Sequence, residues 1–462
     1  MQELILISYL ISAVFFIVAI KQLGRVETAR RGNMLSALGM LIAIAATLLK
    51  LGVFDPRTIL IAMAIGTLIG AIAALRVAMT SMPEMVGIFN GFGGGASALV
   101  ASAEMMKVVN GSALDSSTTT LITIMLSVII GSVTLSGSFI AFGKLKGFIS
   151  GQPITYPGQN IINFGILLAI AGAAYVSVTD PANLPIFYTV VGIGVVLGIL
   201  SVIPIGGADM PVVISLLNSY SGIAAACTGF VLKNHALIVS GALVGASGLF
   251  LTNIMCKGMN RSLGNVLFSA FGKVDETAAQ KTSTGVTVKE MSADNAAYTM
   301  QSAESVIIVP GYGMAVAQAQ HEVRKLSDEL EKSGVEVKFA VHPVAGRMPG
   351  HMNVLLAEAN ISYDKLFDMD DINDDFTGAD VALIIGANDV VNPAARHDEA
   401  SPIFGMPILN VDHAKTTFVL KRSMNPGFAG IDNELFGFEN NYMVFGDAKA
   451  SVSQFVETLK EG

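Results

Sequence analysis

Two glycines separated by one residue stand where a short apolar segment gives way to a helical pattern. Residues 305–309 form a β-branched run ended by Pro310, and Gly311-Tyr312-Gly313-Met314-Ala315-Val316 follows it. Two glycines let the chain turn and let backbone N–H groups approach a pyrophosphate, which the helix dipole also favours. Val316 stands where a third Gly or Ala usually lies. The pattern favours a dinucleotide site, and a tight turn in another α/β domain is the alternative.

The ends of two later predicted strands bear on which nucleotide is bound. In the usual NAD pattern, an Asp or Glu at the end of the second strand binds the ribose 2′-hydroxyl. Here that strand ends Val341-His342-Pro343, without an acidic residue. Lys421-Arg422-Ser423 follows another predicted strand and offers two cations and a hydroxyl to a phosphate monoester, although a solvated strand end explains it equally. Together these two features favour NADP(H) over NAD(H).

Three further loops carry residues typical of ligand contacts. Each follows a predicted strand or lies near one, and open α/β sheets bind ligands beyond the carboxyl ends of their strands. The loops are Val344-Ala345-Gly346-Arg347-Met348-Pro349-Gly350, Gly386-Ala387-Asn388-Asp389-Val390 and residues 425–430. Each of them alone is also compatible with an ordinary connecting loop.

The elements that must position these loops alternate along the C-terminal part of the chain. Helices are predicted at 315–332 and from Asp447 onward, and strands at 305–309, 335–341, 381–385, 407–411, 417–420 and 442–445. Such alternation predicts an α/β, Rossmann-like domain with a doubly wound parallel sheet. We assign 257–290 as a linker, rich in Gly, Ser and Thr, and 291–462 as the nucleotide-binding domain.

Residues 1–256 have the composition of a polytopic α-helical membrane bundle. Only 14% of the chain is charged and 52% is apolar, whereas soluble globular proteins carry roughly 25% charged residues. A soluble globule is therefore excluded, and a net charge of −8 without basic clusters argues against a nucleic-acid partner. Apolar windows predict about nine spans, near 4–22, 33–53, 58–79, 85–106, 119–141, 160–178, 185–204, 210–232 and 235–256.

Basic residues in the short connections indicate the orientation of this bundle. An excess of Lys and Arg marks the cytoplasmic side of a membrane protein. One side holds Lys21, Arg25, Arg30, Arg31, Arg76, Lys144, Lys146, Lys257 and Arg261, and the other holds Lys50, Arg57, Lys107 and Lys233. This bias predicts a cytoplasmic C-terminal domain.

Polar side chains within apolar spans are costly and therefore mark candidate pathways. Asp209 opens the eighth span, where it suits either a helix cap at the membrane interface or a functional carboxylate. Asn218 lies in the middle of the same span, on a face of small and polar residues, and Asn90 lies beside a cluster of glycines in the fourth span. Helix packing accounts for the small residues but less readily for Asn218.

The sequence has no signature of a metal site or of a second redox cofactor. Cys227 and Cys256 lie in or at the edge of apolar runs and lack metal-ligand spacing. His235 is the one histidine of the membrane half, and a haem-carrying bundle needs a buried pair. We therefore expect no metal, haem or flavin.

These motifs together resemble the β subunit of the proton-translocating NAD(P) transhydrogenase family, over essentially the whole chain. The matching segments are Gly206-Gly207-Ala208-Asp209-Met210-Pro211-Val212-Val213, 218–222, 310–318, 342–353, 386–389, 421–423 and Gly446-Asp447-Ala448-Lys449. The resemblance implies a membrane domain joined to an NADP(H)-binding domain. It also implies an α subunit that brings the NAD(H)-binding domain and further helices, in a dimer of αβ units in a bacterial cytoplasmic membrane.

The resemblance also implies roles for individual residues. Gly311, Tyr312, Gly313 and Val316 hold the pyrophosphate region, and residues 344–349 and 386–390 line the cofactor, with Asp389 near the nicotinamide end as a coupling candidate. The 2′-phosphate lies on Lys421, Arg422 and Ser423, residues 425–430 form a lid, and Asp447 and Ala448 complete the site. The contacts assigned to this last region are Met424, Asn425, Pro426, Gly427 and Phe428, the last standing where Tyr is expected.

The implied activity is hydride transfer from NADH on the α subunit to NADP⁺ on this chain, coupled to inward proton translocation. Some members of the family carry a histidine where this chain has Asn90, so Asp209, Asn218 and Asn90 remain as proton-path candidates. If hydride passes between two nucleotides, the single dinucleotide site predicted on this chain independently requires a partner that holds the second nucleotide. The alternative is a channel or transporter gated by a nucleotide-sensing domain, which predicts ligand-gated flux without redox turnover.

Overall fold

The computed structural model describes most of the chain and divides it into two compact units. The described residues are 2–51, 57–78, 81–112, 116–151, 153–206, 209–259, 262–268, 288–348, 350–399, 401, 403–427 and 431–461. The membrane unit comprises Met1–Ile205 and Val213–Thr252, and the α/β unit comprises Gly206–Val212 and Asn253–Gly462. Most of the predicted linker lies outside the described residues.

Nine helices of the described part are long and apolar enough to cross a membrane, as predicted. They are α1 (Gln2–Leu23), α2 (Val26–Leu51), α3 (Arg57–Arg76), α4 (Met82–Val109), α5 (Thr118–Lys146), α6 (Gln159–Thr179), α7 (Leu184–Val202), α8 (Met210–Val231) and α9 (His235–Gly258). Several extend beyond the predicted windows because hydropathy marks only the segment matched to the hydrocarbon core, and the helical backbone continues to its capping residues.

Glycine contacts bring two pairs of these helices close together. A Cβ on Gly131 of α5 would lie 2.5 Å from the carbonyl oxygen of Gly94 on α4. A Cβ on Gly222 of α8 would lie 2.4 Å from the backbone nitrogen of Gly245 on α9. Without side chains at these crossings the backbones can touch, which is the usual role of small residues between membrane helices.

The α/β unit contains a six-stranded sheet in which all pairings are parallel, as predicted. The strands are β1 (Ser305–Pro310), β2 (Glu336–Val341), β3 (Leu366–Asp368), β4 (Val381–Ile385), β5 (Thr416–Lys421) and β6 (Asn441–Phe445), in the order β3-β2-β1-β4-β5-β6. The helices are α10 (Leu263–Phe268), α11 (Ala293–Gln301), α12 (Tyr312–Val316), α13 (Gln320–Lys332), α14 (His351–Glu358), α15 (Met369–Ile372), α16 (Ala394–His397) and α17 (Ala448–Glu461).

The register of the central strands aligns the ends that carry the candidate loops. Pro310 of β1 pairs with Ile385 of β4, and Ile385 pairs with Leu420 of β5. From β1 the chain builds β2 and β3 on one side, then returns to build β4 on the other side. The gap between the ends of β1 and β4 is therefore the topological switch point, where sheets of this kind bind ligands.

The strands differ from the prediction at two places. Residues 407–411 form no strand in the described part of the chain: the amide of Leu409 donates to Val390 O at 3.0 Å. The side chain of Asn373 donates to Ile408 O at 2.9 Å and accepts from the Asn410 amide at 2.8 Å. The backbone groups of this segment are paired outside the sheet, and its last residue, Val411, begins a 3-10 turn. The strand β3 was missed because only three residues of it pair with β2.

The predicted helix 315–332 is also interrupted. The glycine-rich turn leads into α12, and a separate helix, α13, begins at Gln320. Between them Gln318 has a φ of +50°, a left-handed conformation that ends the first helix.

Candidate functional site

Backbone hydrogen bonds join the loop after β1 to the loop after β4. The amide of Gly311 donates to Ile385 O at 2.9 Å, and the amide of Gly313 donates to Gly386 O at 2.9 Å. A Cβ on Gly311 would lie 2.3 Å from the backbone nitrogen of Ala387. The predicted glycine motif thus holds the two loops of the switch point against each other, and no larger residue fits at these positions.

The loop after β2 reaches the glycine motif through an arginine. The guanidinium of Arg347 lies 4.3 Å from the centre of the Tyr312 ring, a cation–π distance. The His351 ring lies 6.4 Å from the Tyr312 ring, and its Nδ1 accepts a hydrogen bond from the Arg347 amide at 3.0 Å. Tyr312 of the loop after β1 and Arg347 of the loop after β2 therefore form one surface, and His351 lies behind it.

His351 fixes the shape of this second loop. It begins α14, its side chain is buried, and a Cβ on Gly346 would lie 2.5 Å from its Nδ1. Gly346 has a φ of +102°, which favours glycine. Burial, together with the nearby Arg347 charge, lowers the pKa of His351 to about 4, so the ring is neutral and its Nδ1 stays an acceptor at neutral pH.

His342 takes the place at the end of β2 that an acidic residue has in NAD sites. Its Nε2 lies 2.8 Å from Pro407 O, and its Nδ1 accepts from the Val344 amide at 3.2 Å. The first contact needs a proton on Nε2 and the second needs a bare Nδ1, so the neutral ring has its proton on Nε2. Burial lowers the pKa of His342 to about 4, in agreement with that form.

The loop after β4 is held by an asparagine from a later segment. The Nδ2 of Asn433 donates to Asn388 O at 3.0 Å and to Asn388 Oδ1 at 3.1 Å. A Cβ on Gly427 would lie 2.5 Å from Asn388 Nδ2 and 2.6 Å from Asp389 Oδ1. The loop after β5 therefore lies directly on the loop after β4, at the two residues predicted to line a cofactor.

The cations after β5 have different surroundings. The ammonium of Lys421 is half-buried, donates to Asn425 O and lies 5.0 Å from the Phe436 ring centre, whereas Arg422 and Ser423 are exposed. Burial lowers the pKa of Lys421, and the carboxylates of Asp389 and Asp432 oppose that shift. The geometry leaves Arg422 and Ser423 at the surface while Lys421 braces its own loop.

The start of α17 places the last two predicted residues at the end of β6. Asp447 precedes the helix, and its Oδ1 accepts from the Lys449 and Ala450 amides at 3.1 and 3.3 Å. Ala448 is buried. The Gly446 amide donates to Lys421 O at 3.0 Å, so this turn is bonded to the strand that carries the cationic cluster.

The described predicted binding residues thus follow five strands, β1, β2, β4, β5 and β6, at the carboxyl edge of the sheet. Pro349 and Phe428 lie outside the described residues, as does the rest of the predicted lid beyond Gly427. The sequence did not single out His351 or Asn433. His351 stood within the matching segment 342–353 without a role, and Asn433 carries no local signal because its partner is distant in the chain.

Polar atoms at this edge fit a bound polar ligand. Among the described residues, Asn388 Nδ2 and His351 Nε2 are buried and have no hydrogen-bond partner in the protein. Folded proteins rarely leave such groups unsatisfied, so these two atoms are candidates for hydrogen bonds to a ligand. The close glycine contacts, the exposed Arg422 and these polar atoms suit a nucleotide with phosphate groups. Within the described ranges no three His, Cys, Asp or Glu side chains are grouped as a metal site.

In the membrane unit, Asn90 joins three helices. Its Nδ2 on α4 donates to Ser138 Oγ on α5 at 3.0 Å, and its Oδ1 lies 2.6 Å from Ser221 Oγ on α8. Ser221 Oγ also lies 2.8 Å from Asn218 O, so its single proton has two acceptors. Ser221 thus connects the Asn90 side chain to the backbone of α8 at Asn218, one of the other predicted path residues, without involving the Asn218 side chain.

A second polar cluster joins the same three helices and was not predicted. Ser127 Oγ on α5 lies 2.7 Å from Thr228 Oγ1 on α8, and both hydroxyls contact the carbonyls of Ser97 and Ala224. Both residues are buried. Hydroxyls that bond the carbonyls of a neighbouring helix are a common membrane packing device.

Asp209 lies directly before α8, which begins at Met210, and it is 2% exposed. It belongs to the α/β unit, and its amide donates to Gly206 O at 3.1 Å. The small residues of α8 that follow pack on α9, where Ser215 Oγ donates to Gly248 O at 3.2 Å. Packing therefore explains that face of α8, and the position of Asp209 is compatible with both of its predicted roles.

Comparison with known proteins agrees with this architecture. Residues 5–458 match the family model described as NAD(P) transhydrogenase beta subunit. The NAD(P) transhydrogenase subunit beta of Rhodospirillum rubrum is 49% identical over 461 residues, which cover 99% of each chain. The same subunit from Rhodospirillum rubrum strain ATCC 11170 matches with the same identity and coverage. Because the match spans almost the full length of both chains, this protein belongs to the NAD(P) transhydrogenase beta subunit family.

Proposed function

We propose that this chain binds NADP(H) and, with an α subunit that carries NAD(H), transfers hydride from NADH to NADP⁺ while a proton moves inward across the membrane. The observation that carries the proposal is the contact between the loops after β1 and β4 at the switch point of the parallel sheet, with the loop after β2 packed on the first and the loop after β5 packed on the second. We assign 1–256 as the proton-translocating domain, 257–290 as a linker and 291–462 as the NADP(H) domain. The complex is a dimer of αβ units in a bacterial cytoplasmic membrane, with the NADP(H) domain in the cytoplasm.

The loops after β1 and β4 would hold the pyrophosphate and its neighbours. Gly311, Gly313 and Gly386 let the two backbones approach closely, and a phosphate needs this kind of access to amide groups. Tyr312 and Arg347 form a stacked pair beside the turn, and a guanidinium is a strong phosphate and carboxylate partner. Of the remaining proposed contacts, Val316, Val344, Ala345 and Met348 belong to these loops as well.

Selection of NADP(H) would depend on the cations after β5. Arg422 and Ser423 are exposed and can meet a 2′-phosphate, whereas Lys421 orders the loop through Asn425 and adds positive charge. The residue at the end of β2 supports the same choice, since His342 is neutral, buried and bonded to Pro407. The residue at this position therefore offers a ribose 2′-hydroxyl no carboxylate.

The bound nicotinamide would supply the hydride chemistry, and no acid or base on the protein is needed for that step. The chain must position the bound nucleotide and control access to it. Asn388 and Asp389 lie under Gly427, so the loop after β5 covers the residues that we assign to the nicotinamide end. Closing this loop would exclude water, and opening it would release the product.

Coupling requires that protonation in the membrane domain changes the affinity for NADP(H), and the reverse linkage then holds by necessity. We assign the proton path to Asp209, Asn218 and Asn90, which are polar groups within or beside the spans. The two nicotinamide couples are nearly isoenergetic, so the proton supplies the driving force. One charge crossing ~150 mV supplies about 3 kcal/mol, a bias on the order of 100-fold toward NADPH.

Nucleotide selection by the full-length chain tests this proposal. We expect NADPH to bind at least tenfold more tightly than NADH, and Arg422→Gln to weaken NADPH binding about tenfold with little change for NADH. Lys332→Gln is the matched control, because Lys332 is an exposed cation at the end of α13, beside the amino ends of the strands. Equal affinity for the two nucleotides, or equal effects of the two substitutions, would contradict the assignment.

A further inference from the structure

A buried asparagine outside the proposed binding loops bonds to the loop after β4. Asn433 is 2% exposed and lies at the start of the 3-10 turn Glu434–Gly437. Its Oδ1 accepts from the Leu435 amide at 3.0 Å, and its Nδ2 donates to Asn388 O and Asn388 Oδ1 at 3.0 and 3.1 Å. The whole carboxamide is used, since its two N–H groups and its oxygen all have partners.

These contacts also determine the orientation of both amide groups. Because the Leu435 N–H can only donate, the atom of Asn433 that faces it is the oxygen, and the NH₂ faces Asn388. Asn388 must then present its Oδ1 to Asn433. Its NH₂ is directed away, is buried without a partner among the described residues, and faces Gly427, whose Cβ position lies 2.5 Å from it.

A second asparagine makes the reciprocal link. Asn392 belongs to the segment that follows β4 and is 0% exposed. Its Nδ2 donates to Asp432 O at 3.0 Å, and its Oδ1 accepts from the Ala394 amide at 3.2 Å. Each of the two segments therefore donates one side-chain amide to the other, and the pair forms a clasp (Asn392 and Asn433) between residues 388–392 and 432–433.

We propose that Asn433, acting through Asn388 and supported by Asn392, is a positioning residue that sets the lifetime of bound NADP(H). The inference rests on the proposed function of the loop after β4. Asn433 holds the Asn388 carboxamide so that the NH₂ of Asn388 faces Gly427. There this NH₂ is available to the nucleotide and to the loop after β5. Loss of the Asn433 donor frees Asn388 to rotate, so the nucleotide leaves faster even where the fold persists.

The direct test is Asn433→Asp in the full-length chain, with release of NADPH followed by its own fluorescence after dilution into NADP⁺. The aspartate keeps the size and the acceptor for Leu435 but turns an oxygen toward two oxygens of Asn388. We expect NADPH to dissociate about tenfold faster, because Asn388 loses both hydrogen bonds from Asn433 that hold it in place. Asn433→Ser, which removes the NH₂ group that reaches Asn388 and keeps a hydroxyl that can accept from Leu435, should show the same direction.

The matched control is Asn440→Asp. Asn440 also donates its Nδ2 to two backbone oxygens, of Asp412 and Ala414, but it lies just before β6, at the amino ends of the strands. We expect the rate of NADPH release from Asn440→Asp to stay within twofold of wild type. This should hold even if the urea midpoint of the α/β unit falls as much as it does in Asn433→Asp. A purely structural role for Asn433 predicts equal changes in release for the two variants.

A double-mutant cycle with Asn388→Ala tests the route. If Asn433 acts through Asn388, the fold-change caused by Asn433→Asp should shrink at least threefold in the Asn388→Ala background. Multiplicative effects, or a release rate of Asn433→Asp within twofold of wild type, would overturn the positioning role while leaving the proposed function in place. A wild-type chain that binds no NADPH would overturn the proposed function itself.

Discussion

Gly313 and Gly386 touch across the switch point of the sheet, where a Cβ on Gly386 would lie 2.3 Å from the Cα of Gly313. Gly313 belongs to the loop after β1 and Gly386 to the loop after β4, and the Gly313 amide donates to Gly386 O at 2.9 Å. Gly386 also has a φ of +67°, a conformation that favours glycine. The contact therefore sets the separation of the two loops that we assign to the pyrophosphate.

Gly386→Ala should open this contact and weaken NADPH binding by at least tenfold, since the added methyl group meets backbone that cannot rotate away. Gly334→Ala is the matched control. Gly334 also has a positive φ, +87°, but nothing lies within 4 Å of its Cβ position. Titration of both full-length variants with NADPH separates the two effects: equal losses would assign the effect to backbone strain instead of the contact.

The pair formed by Arg347 and Tyr312 should depend on the aromatic ring. Because the guanidinium lies 4.3 Å from the ring centre, Tyr312→Phe keeps the contact and Tyr312→Leu removes it. We expect Tyr312→Leu to weaken NADPH binding about fivefold more than Tyr312→Phe does. Isothermal titration calorimetry of the two variants with NADPH measures this difference in affinity. Equal affinities would show that the ring does not position Arg347.

The two buried histidines predict a loss of stability in mild acid. Burial lowers the pKa of His342 to about 4 from 6.5, so the unfolded chain binds a proton that the folded chain refuses between those values. The contribution of neutral His342 to the free energy of unfolding is fully present above pH 6.5 and is lost as the pH decreases toward 4. The loss is about 2 kcal/mol at pH 5 for this residue, and His351 adds to it in the same direction.

Pulse proteolysis of the α/β unit in urea, on the full-length chain at pH 7.5 and pH 5, measures this loss. His342→Gln should lower the stability at pH 7.5 and flatten its dependence on pH. His413→Gln, which changes an exposed histidine, should leave the dependence as in wild type. A pH dependence that is the same in wild type and His342→Gln would refute the buried neutral form.

Asn90 should affect proton movement more than nucleotide binding. It bonds Ser138 and lies 2.6 Å from Ser221, so Asn90→Leu, of similar size, removes both polar contacts between α4, α5 and α8. We expect coupled proton uptake in proteoliposomes to fall at least tenfold while NADPH affinity at fixed pH stays within about threefold. Ser102→Ala on the same helix is the control, because among the described residues that hydroxyl bonds within α4, to Ala98 O. Unchanged uptake in Asn90→Leu would remove this residue from the path.

Local sequence patterns predicted most of the fold, and the misses have identifiable causes. The apolar windows predicted nine spans, and β-branched runs predicted β1, β2, β4, β5 and β6. Residues 407–411 look like a strand because Ile408 and Leu409 are buried, yet their backbone groups pair with Val390 and with Asn373. A run of apolar residues indicates that a segment is buried, but it does not identify the hydrogen-bond partners of its backbone groups.

The features of the candidate site likewise fall into those that the sequence predicts and those that it does not. The glycine motif, the missing acid after β2 and the cations after β5 were visible as residue types at strand ends. The contact of Gly313 with Gly386, the tautomer of His342 and the bonds of Asn433 were not, because each depends on a residue far away in the chain. Sequence located the loops, and the fold determined which atoms of those loops meet.

The most direct test of the central claim is made on this chain co-assembled with an α subunit in proteoliposomes. NADH-dependent reduction of an NADP⁺ analogue is followed together with the pH inside the vesicles. We predict that reduction moves protons across the membrane and that an opposing proton gradient slows it. Reduction without any proton movement, or ion flux gated by NADP(H) without reduction, would contradict the account, and the second result would establish a nucleotide-gated channel in its place.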